Sequence, residues 1–211
     1  MQTMKEVVTF DGLMEKASMG QRPRVLAHIC CGPCAVAPLR KLLGEHADIW
    51  GFFHNPNIHP RSEFKKRLES VKELARILSL PVICDEEYSP SAFIKGVREE
   101  TMTPSGIPPH GGRCAYCYST RLDATARQAA LRGFDAFTSS LLFSMYQGHE
   151  QIMEAGIESA RKYGILFLYE DFRTLWQEGM DSSRGLGLYM QKYCGCVYSR
   201  IERYSKKLKK K

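Results

Sequence analysis

The fold of this chain is decided by the stretch Arg24-Val25-Leu26-Ala27-His28-Ile29-Cys30-Cys31-Gly32-Pro33-Cys34. Residues 24–29 are typical of a strand buried in a sheet, and a short helix is predicted from Cys34 to Gly44, where the glycine favours a helix end. Three cysteines therefore stand between a strand and the helix that follows it. A helix start offers free backbone N–H donors and the positive end of the helix dipole, and both favour thiolate over thiol.

The rest of the chain alternates in the same way. Strands are predicted at 48–53, 80–84, 134–140 and 165–169, and helices at 62–78, 92–99, 113–131, 149–163 and 183–193. This order indicates an α/β fold with a doubly wound, mostly parallel, Rossmann-like sheet of about five strands and helices on both faces. Such sheets bind their ligands beyond the carboxyl ends of the strands, which is where the first cysteines lie.

Length and composition limit the classes of protein to which the chain can belong. Its 211 residues suffice for one good core. We expect a single catalytic domain over residues 1–205 and a basic tail at 206–211. No run of about 18 apolar residues exists, so neither a membrane span nor a membrane partner is expected. The first residues lack the apolar stretch of a secretory signal, so the expected location is cytoplasmic.

The positive charge of the chain gives only modest support to nucleic-acid binding. The formal net charge is +7, from 30 basic and 23 acidic residues. Five of the positive charges belong to the tail residues Lys206, Lys207, Lys209, Lys210 and Lys211. Without them the chain has 25 basic and 23 acidic residues, a net charge of +2. Such a tail suits nonspecific phosphate contacts, or it is a solvated end.

The cysteines point to metal or redox chemistry. Seven of the eight lie in three clusters, Cys30-Cys31-Gly32-Pro33-Cys34, Cys114-Ala115-Tyr116-Cys117 and Cys194-Gly195-Cys196. Structural disulfides are rare in the cytoplasm, where clustered cysteines more often bind metal or carry out redox work. Cys114 and Cys117 are one helical turn apart, so their sulfurs face one side. The first two clusters together offer five thiolates, and a four-thiolate metal centre would leave one over.

Two other interpretations of these cysteines remain open. The two CxxC units also suit a structural zinc ion in an RNA-binding module, although zinc ribbons place their pairs closer together. Cys31-Gly32-Pro33-Cys34 is also the CGPC sequence of thioredoxin, which predicts a thiol–disulfide exchanger. The second hypothesis leaves the other two clusters unexplained.

Cys194-Gly195-Cys196 differs in kind from the other clusters. Two cysteines separated by one residue close only a small, strained disulfide ring, and strained disulfides are easily reduced. We interpret the pair as a redox couple that carries two electrons, with a second pair of metal ligands as the alternative. A centre for single-electron steps together with a dithiol indicates a reductase.

Five segments of the chain, in this order and at this spacing, resemble the cobalamin-independent epoxyqueuosine reductases. They are His28-Ile29-Cys30-Cys31-Gly32-Pro33-Cys34, Phe53-His54-Asn55-Pro56-Asn57-Ile58-His59-Pro60 with Glu63, Arg113-Cys114-x-x-Cys117, Thr138-Ser139-Ser140-Leu141-Leu142, and Gln191-Lys192-Tyr193-Cys194-Gly195-Cys196-Val197-Tyr198-Ser199. The resemblance extends from Val25 to about Tyr204. It implies the reduction of epoxyqueuosine to queuosine at the wobble base of certain tRNAs.

The resemblance also implies cofactors, partners and roles for the cysteines. A [4Fe-4S] cluster would be held by Cys30, Cys31, Cys114 and Cys117, and a redox-active disulfide would be formed by Cys194 and Cys196. Cys34, at a position where some members carry Asp instead, would bind an additional iron ion or have no role. The implied partners are the tRNA anticodon loop that carries epoxyqueuosine and an electron donor of unknown identity.

Conversion of an epoxide to an alkene needs two electrons and two protons, and the oxygen leaves as water. The candidate proton donors are His54, His59, Tyr146 and Glu63. The residues expected to bind the substrate are His54, Asn55, His59, Tyr146 and Arg173. Phosphates are expected to contact Arg113, Arg121, Arg173 and the lysine tail, and a base that has left the anticodon stack is expected to stack on Phe52, Tyr116 or Tyr118.

Overall fold

The computed structural model describes residues 6–16, 22–45 and 47–208. The strands are β1 (Val7–Val8), β2 (Arg24–His28), β3 (Asp48–Phe53), β4 (Val82–Cys84), β5 (Ala136–Ser139) and β6 (Leu166–Leu168). The helices are α1 (Phe10–Lys16), α2 (Gly32–Gly44), α3 (Arg61–Leu78), α4 (Pro90–Glu100), α5 (His110–Leu131), α6 (His149–Tyr163), α7 (Trp176–Gly185) and α8 (Val197–Leu208). Two short 3₁₀ helices, Ser140–Phe143 and Phe172–Leu175, lie after β5 and β6.

The strands form one parallel sheet in the order β1-β6-β5-β2-β3-β4. The direction of winding reverses between β2 and β5: Val25 of β2 pairs with Ile49 of β3 on one side and with Ala136 of β5 on the other. Right-handed crossovers place the connections to β3 and β4 on one face and those to β5 and β6 on the opposite face. The predicted α/β fold is confirmed, with one strand more than the five expected.

The centre of the sheet is a continuous apolar layer. Val25 and Leu26 of β2 are fully buried, and so are Phe53, Phe137 and Phe167 from three other strands. The rings of Phe137 and Phe167 lie 5.1 Å apart, centroid to centroid. Strands buried on both faces are typical of parallel sheets. This packing fixes the carboxyl edge of β2, and the first cysteines follow directly from it.

The end of the chain differs from the sequence prediction. Instead of one helix over 183–193, α7 ends at Gly185, residues 186–196 have no regular structure, and α8 follows. Gly187 has a φ of 68°, the left-handed conformation that ends helices and that glycine adopts without strain. The predicted helix is therefore wrong because its glycines stop α7 before the cysteines.

Two expectations from composition concern the ends of the chain and membranes. Helix α8 includes Lys206 and Lys207, whereas Lys209, Lys210 and Lys211 lie outside the described residues. A single catalytic domain over 1–205 and a separate tail at 206–211 stay predictions. Within the described ranges, every helix is too short or too polar to pass through a lipid bilayer.

Candidate metal and redox site

The first cysteine cluster lies at the carboxyl edge of the sheet, where β2 gives way to α2. The Sγ atoms of Cys30, Cys31 and Cys34 lie within 4.8 Å of one another, and those of Cys30 and Cys31 are 3.7 Å apart. At Gly32, the first residue of α2, a Cβ atom would lie 2.9 Å from the carbonyl oxygen of Ser70. The glycine thus lets α2 approach α3, and the strand end and helix start confine three thiols to one small volume.

Three thiols at this distance do not share one protonation state. Hydrogen bonds from the thiols of Cys31 and Cys34, with a weaker one from Ser140 (Oγ to Sγ 3.4 Å), hold the pKa of Cys30 well below its usual range. Burial raises the pKa of Cys31, and hydrogen bonding to Cys30 raises the pKa of Cys34. The cluster therefore favours one thiolate beside two thiols, and a metal bound by all three would displace the remaining protons.

Helix α5 brings the second pair of cysteines to the same place. Cys114 lines the cavity that Cys30 and Cys31 also line, and Cys117, one turn later, is buried. Burial raises the pKa of Cys114 to about 11 and raises the pKa of Cys117 as well. Cysteines more than 80 residues apart in sequence, such as Cys30 and Cys114, thus line one cavity.

A buried cation, Arg121, faces these sulfurs. Its side chain is 2% exposed and donates to the carbonyl oxygen of Cys117 at 3.0 Å and to the Sγ of the same residue at 3.1 Å. Burial acts to lower the pKa of Arg121, but the charges of Cys117, Cys194 and Cys30 outweigh burial and raise it. No carboxylate of the described residues pairs with its guanidinium. A buried cation that has a sulfur partner and no carboxylate partner fits a site that holds an anionic, thiolate-bound metal group.

The third cluster is held by a side chain rather than by regular backbone. Arg67 of α3 is 2% exposed and donates to the carbonyl oxygens of Cys194 and Tyr193, both at 2.8 Å. Its Nε donates to Oε1 of Glu63 at 2.8 Å, and the hydroxyl of Tyr189 donates to Oε2 at 2.6 Å. One buried ion pair therefore fixes two successive carbonyl groups of the irregular segment.

Gly195 allows the guanidinium of Arg67 to lie this close to the irregular segment. Its φ of 133° is a conformation that favours glycine, and a Cβ atom there would lie 3.0 Å from Nη1 of Arg67. Its carbonyl oxygen accepts a hydrogen bond from the backbone N–H of His59 at 2.9 Å. On either side of the glycine stand two free thiols, the exposed Cys194 and the buried Cys196.

All three clusters contribute cysteines to the lining of one cavity of about 740 Å³, and Cys117 of the second cluster is not among its lining residues. This volume lies within the range of roughly 300–1,000 Å³ that is usual for small-molecule sites. Its six cysteines are Cys30, Cys31, Cys34, Cys114, Cys194 and Cys196, and its other lining residues include Tyr118, Tyr146, Trp176, Gln191, Lys192 and Arg203. The chemistry available there is thiolate ligation of a metal and thiol–disulfide exchange.

Of the five residues expected to bind the substrate, Tyr146 lines the cavity and is 82% exposed. The other four have polar partners of their own. His54 Nδ1 lies 2.7 Å from Asp85 Oδ2, and His59 Nδ1 lies 2.8 Å from the hydroxyl of Tyr88. Asn55 donates to the carbonyl of Ile29 at 2.9 Å, and Arg173 pairs with Asp171 at 2.6 Å. None of these four is among the lining residues of the cavity. Substrate binding by all five stays a prediction.

The residues expected to hold phosphates or stack on a base are mostly buried. Arg113 and Arg121 are 3% and 2% exposed, so they do not offer a surface to an RNA backbone outside the cavity. Phe52 is buried in the core, whereas the buried Tyr118 lines the cavity and accepts the Gly148 N–H at 3.1 Å. Tyr116 packs on Phe93, with ring centroids 5.7 Å apart.

Sequence reasoning missed three side chains that contact the cysteine segments. They are Arg67, Gln147, which donates to Cys194 Sγ at 3.4 Å, and Gln191, which donates to Cys34 Sγ at 3.3 Å. Arg67 stands four residues after Glu63 on the apolar face of α3, and a charged pair on a buried face is a usable signal. Gln191 stands in a segment that carries the family resemblance but has no role assigned from it, and no pattern in the sequence marks Gln147.

Comparison with known proteins connects this site to one family. The family model described as Epoxyqueuosine reductase QueH matches residues 25–202. A relative with that description from Thermotoga maritima is 37% identical over 187 residues, 86% of this chain and 93% of that protein. Another from Dehalococcoides mccartyi is 32% identical over 184 residues, 87% of this chain and 96% of that protein.

A solved structure shares the fold. It is the U34-tRNA thiolase NcsA from Methanococcus maripaludis with its [4Fe-4S] cluster, similar at a TM-score of 0.52 and 14% identity over 98% of this chain and 71% of that one. The family match extends over both CxxC units and the Cys194–Cys196 segment, so the resemblance seen in the sequence is confirmed. The chain belongs to the epoxyqueuosine reductase QueH family.

Proposed function

We propose that this chain reduces epoxyqueuosine in tRNA to queuosine within the six-cysteine cavity. As a member of its family it is a tRNA-modifying oxidoreductase. The observation that carries the proposal is that cysteines from the start of α2, from α5 and from the segment before α8 line one cavity of about 740 Å³. Two kinds of sulfur chemistry, ligation and redox exchange, thus have access to one bound group.

The cysteine pair before α8 can supply the electrons and protons that the reaction consumes. Both C–O bonds of the epoxide break, a C=C bond forms, and the oxygen leaves as water after taking up two electrons and two protons. Oxidation of the free thiols of Cys194 and Cys196 to a disulfide releases two electrons and two protons. An external electron donor, whose identity is open, must reduce this disulfide before the next turnover. The exposed Cys194 is the sulfur accessible to that donor.

We assign the ligands of a [4Fe-4S] cluster to Cys30, Cys31, Cys114 and Cys117. Three observations support this assignment: the sulfurs of Cys30 and Cys31 lie close together, Cys114 lines the same cavity, and the buried Arg121 donates to the sulfur of Cys117. When bound, the cluster would supply single-electron steps and a Lewis-acidic iron.

Cys34 then remains as the fifth thiol, and we assign it to an additional iron ion. Its sulfur lies within 4.8 Å of those of Cys30 and Cys31. It also accepts a hydrogen bond from Gln191 at 3.3 Å, which orients the sulfur at the cavity wall.

The substrate base must leave the anticodon stack to enter the cavity. Tyr146 and Trp176 line it, with ring centroids 5.6 Å apart at 83°. The exposed ring of Tyr146 is suited to stack on the base, at about 1–3 kcal/mol per base. It is also the candidate proton donor that lines the cavity, whereas Glu63 is committed to Arg67 and Tyr189.

The two other functions weighed from the sequence are not favoured. In a thioredoxin-like exchanger Cys31 and Cys34 would act as an isolated pair, but here they share a pocket with the sulfur of Cys30. A zinc-stapled module would leave the Cys194–Cys196 pair at the cavity without a role. The cytoplasmic location stays a prediction.

Mass spectrometry of tRNA nucleosides tests the proposed function. The chain is expressed in a strain that lacks other epoxyqueuosine reductases, with the Cys194→Ser variant as the inactive control. We expect queuosine to replace epoxyqueuosine with the wild-type chain alone. Persistence of epoxyqueuosine with well-folded, iron-loaded wild-type protein would refute the substrate assignment.

A further inference from the structure

The mouth of the cavity carries cations that the reaction itself does not use. Lys192 and Arg203 both line the cavity and are both exposed. Among the described residues neither forms an ion pair. Arg200, one turn before Arg203 on α8, is exposed as well and stacks on the ring of Tyr204 at 5.9 Å. These positive charges therefore face solvent at the place where a macromolecular substrate must approach.

The single acidic residue of α8 does not cancel them. Glu202 accepts a hydrogen bond from Nη2 of Arg113 at 2.7 Å, and Arg113 is only 3% exposed. The carboxylate is thus neutralised by a cation from inside the protein. The remaining charged residues of α8, at positions 200, 203, 206 and 207, are all basic.

The third arginine expected to contact phosphates, Arg173, is differently placed. Arg173 is engaged with Asp171 through Nε at 2.8 Å and Nη2 at 2.6 Å, and it does not line the cavity. A paired guanidinium gains less from a phosphate because its charge is already compensated.

We propose that Lys192, Arg203 and Arg200 form the surface that holds the phosphate backbone of the RNA substrate while its base enters the cavity. This inference rests on the proposed function and adds the docking surface to it. Helix α8 starts one residue after Cys196, so a base at the sulfurs places its own backbone beside this helix. Contacts to phosphates position the RNA, and the cavity reads the base.

Salt dependence of RNA binding tests the surface directly. The full chain is titrated with an unmodified tRNA transcript between about 50 and 200 mM salt, because each phosphate contact to a single strand adds about 0.7 to the slope of log K against log salt. The variants Lys192→Gln and Arg203→Gln are each expected to lower the slope by about 0.7 and the double variant by about 1.4. The charge-conserving pair Lys192→Arg and Arg203→Lys is expected to keep the wild-type slope.

The matched control is Arg127→Gln. Arg127 is exposed on α5 and forms no ion pair among the described residues. It lies about 20 Å along the helix from Cys114, at 1.5 Å per residue. We expect this variant to bind RNA like the wild type.

Two results would overturn the inference. One is a double variant that keeps the wild-type slope and affinity. The other is a double variant that binds RNA normally but no longer accepts electrons from the cell's donor, which would make the surface a protein contact. The binding assay needs no epoxyqueuosine, so it is independent of the reaction. Wild-type protein that binds the transcript through these cations, yet forms no queuosine in the expression strain, would sink the proposed function and leave the docking surface standing.

Discussion

The cysteines at the sheet edge and the cysteines before α8 reach one cavity by different physical means. Cys31 stands between β2 and α2, so neighbouring backbone fixes its position. Cys194 stands in an irregular segment, and its carbonyl is held by Arg67, which is 127 residues away in sequence. The first arrangement is set by local structure, whereas the second depends on tertiary contacts, chiefly those from the buried Arg67.

This difference fits the chemical roles proposed for the two groups of cysteines, metal ligation at the sheet edge and redox exchange before α8. Cys31 is buried, as a ligand shielded from exchange would be, whereas Cys194 is exposed to an outside reductant. A metal ligand benefits from rigidity, because misplacing one by a fraction of an ångström weakens ligation. A dithiol benefits from access, because exchange requires an approaching thiol.

The largest expected effect is loss of catalysis on removing a sulfur from either group. Cys31→Ala and Cys194→Ala should each lower queuosine formation at least about 100-fold, more than the loss of a ligand's supporting contact. A small dithiol added at millimolar concentration should partly restore the Cys194→Ala variant and leave Cys31→Ala inactive, because only the former lacks an electron source. Nucleoside analysis of tRNA treated with each variant measures this.

The control is Cys84→Ala, since Cys84 lies at the end of β4 and does not line the cavity. It should retain wild-type activity. Equal rescue of both inactive variants by the dithiol would erase the distinction between the two groups.

The next largest effect concerns the contact that holds the second group. Arg67→Met leaves the carboxylate of Glu63 buried without its cation, at a cost of about 3–5 kcal/mol in the free energy of unfolding. Adding Glu63→Gln should recover part of this loss, because no buried charge then remains. Urea denaturation of the metal-free chain measures both, and hydrogen exchange should increase at residues 193–195. A loss below about 1 kcal/mol would mean that Arg67 does not hold the segment.

The sequence predicts the first group better than the second for a physical reason. The apolar run of β2 and the following cysteines define a sheet edge from adjacent residues alone. Residues 186–196 have no such pattern, and the predicted helix over 183–193 overlooked the helix-ending conformation of Gly187. The spacing of Glu63 and Arg67 marks a charged pair on the buried face of α3, but no local pattern connects Arg67 to residues 193 and 194, which lie more than 120 residues away. The two-residue strand β1 is likewise too short to give an alternating signal.

Two glycine substitutions should affect the sheet-edge cysteines and the cysteines before α8 differently. Gly195→Ala forces an alanine into a φ of 133°, a strain of about 1–3 kcal/mol. Gly32→Ala places a Cβ atom 2.9 Å from a backbone oxygen of α3, an overpacking of about 1–3 kcal/mol. Iron analysis should show metal lost from Gly32→Ala and kept in Gly195→Ala. Loss of iron from both would show that the two groups are not independent.

The expected effect that is smallest near neutral pH is the contribution of His28, at the sheet edge, to the pH dependence of stability. Burial, with the nearby charge of Arg121, lowers the pKa of His28 to about 3. Below pH 6.5 the unfolded chain binds a proton at His28 that the folded chain does not, so the stability of the metal-free protein should fall by up to about 1.4 kcal/mol per pH unit. His28→Gln should flatten this part of the profile in urea denaturation between pH 4 and 7. An identical slope in the variant would contradict a neutral, buried imidazole.

Metal analysis of the anaerobically purified chain tests most directly whether remote sulfurs share one iron centre. The wild type and Cys194→Ser should contain about four irons and four sulfides per chain, plus one iron where Cys34 holds an additional ion. Cys114→Ser should lose most of both, although Cys114 is far in sequence from Cys30 and Cys31. Zinc in place of iron, or a Cys114→Ser variant with its full iron and sulfide content, would contradict the account.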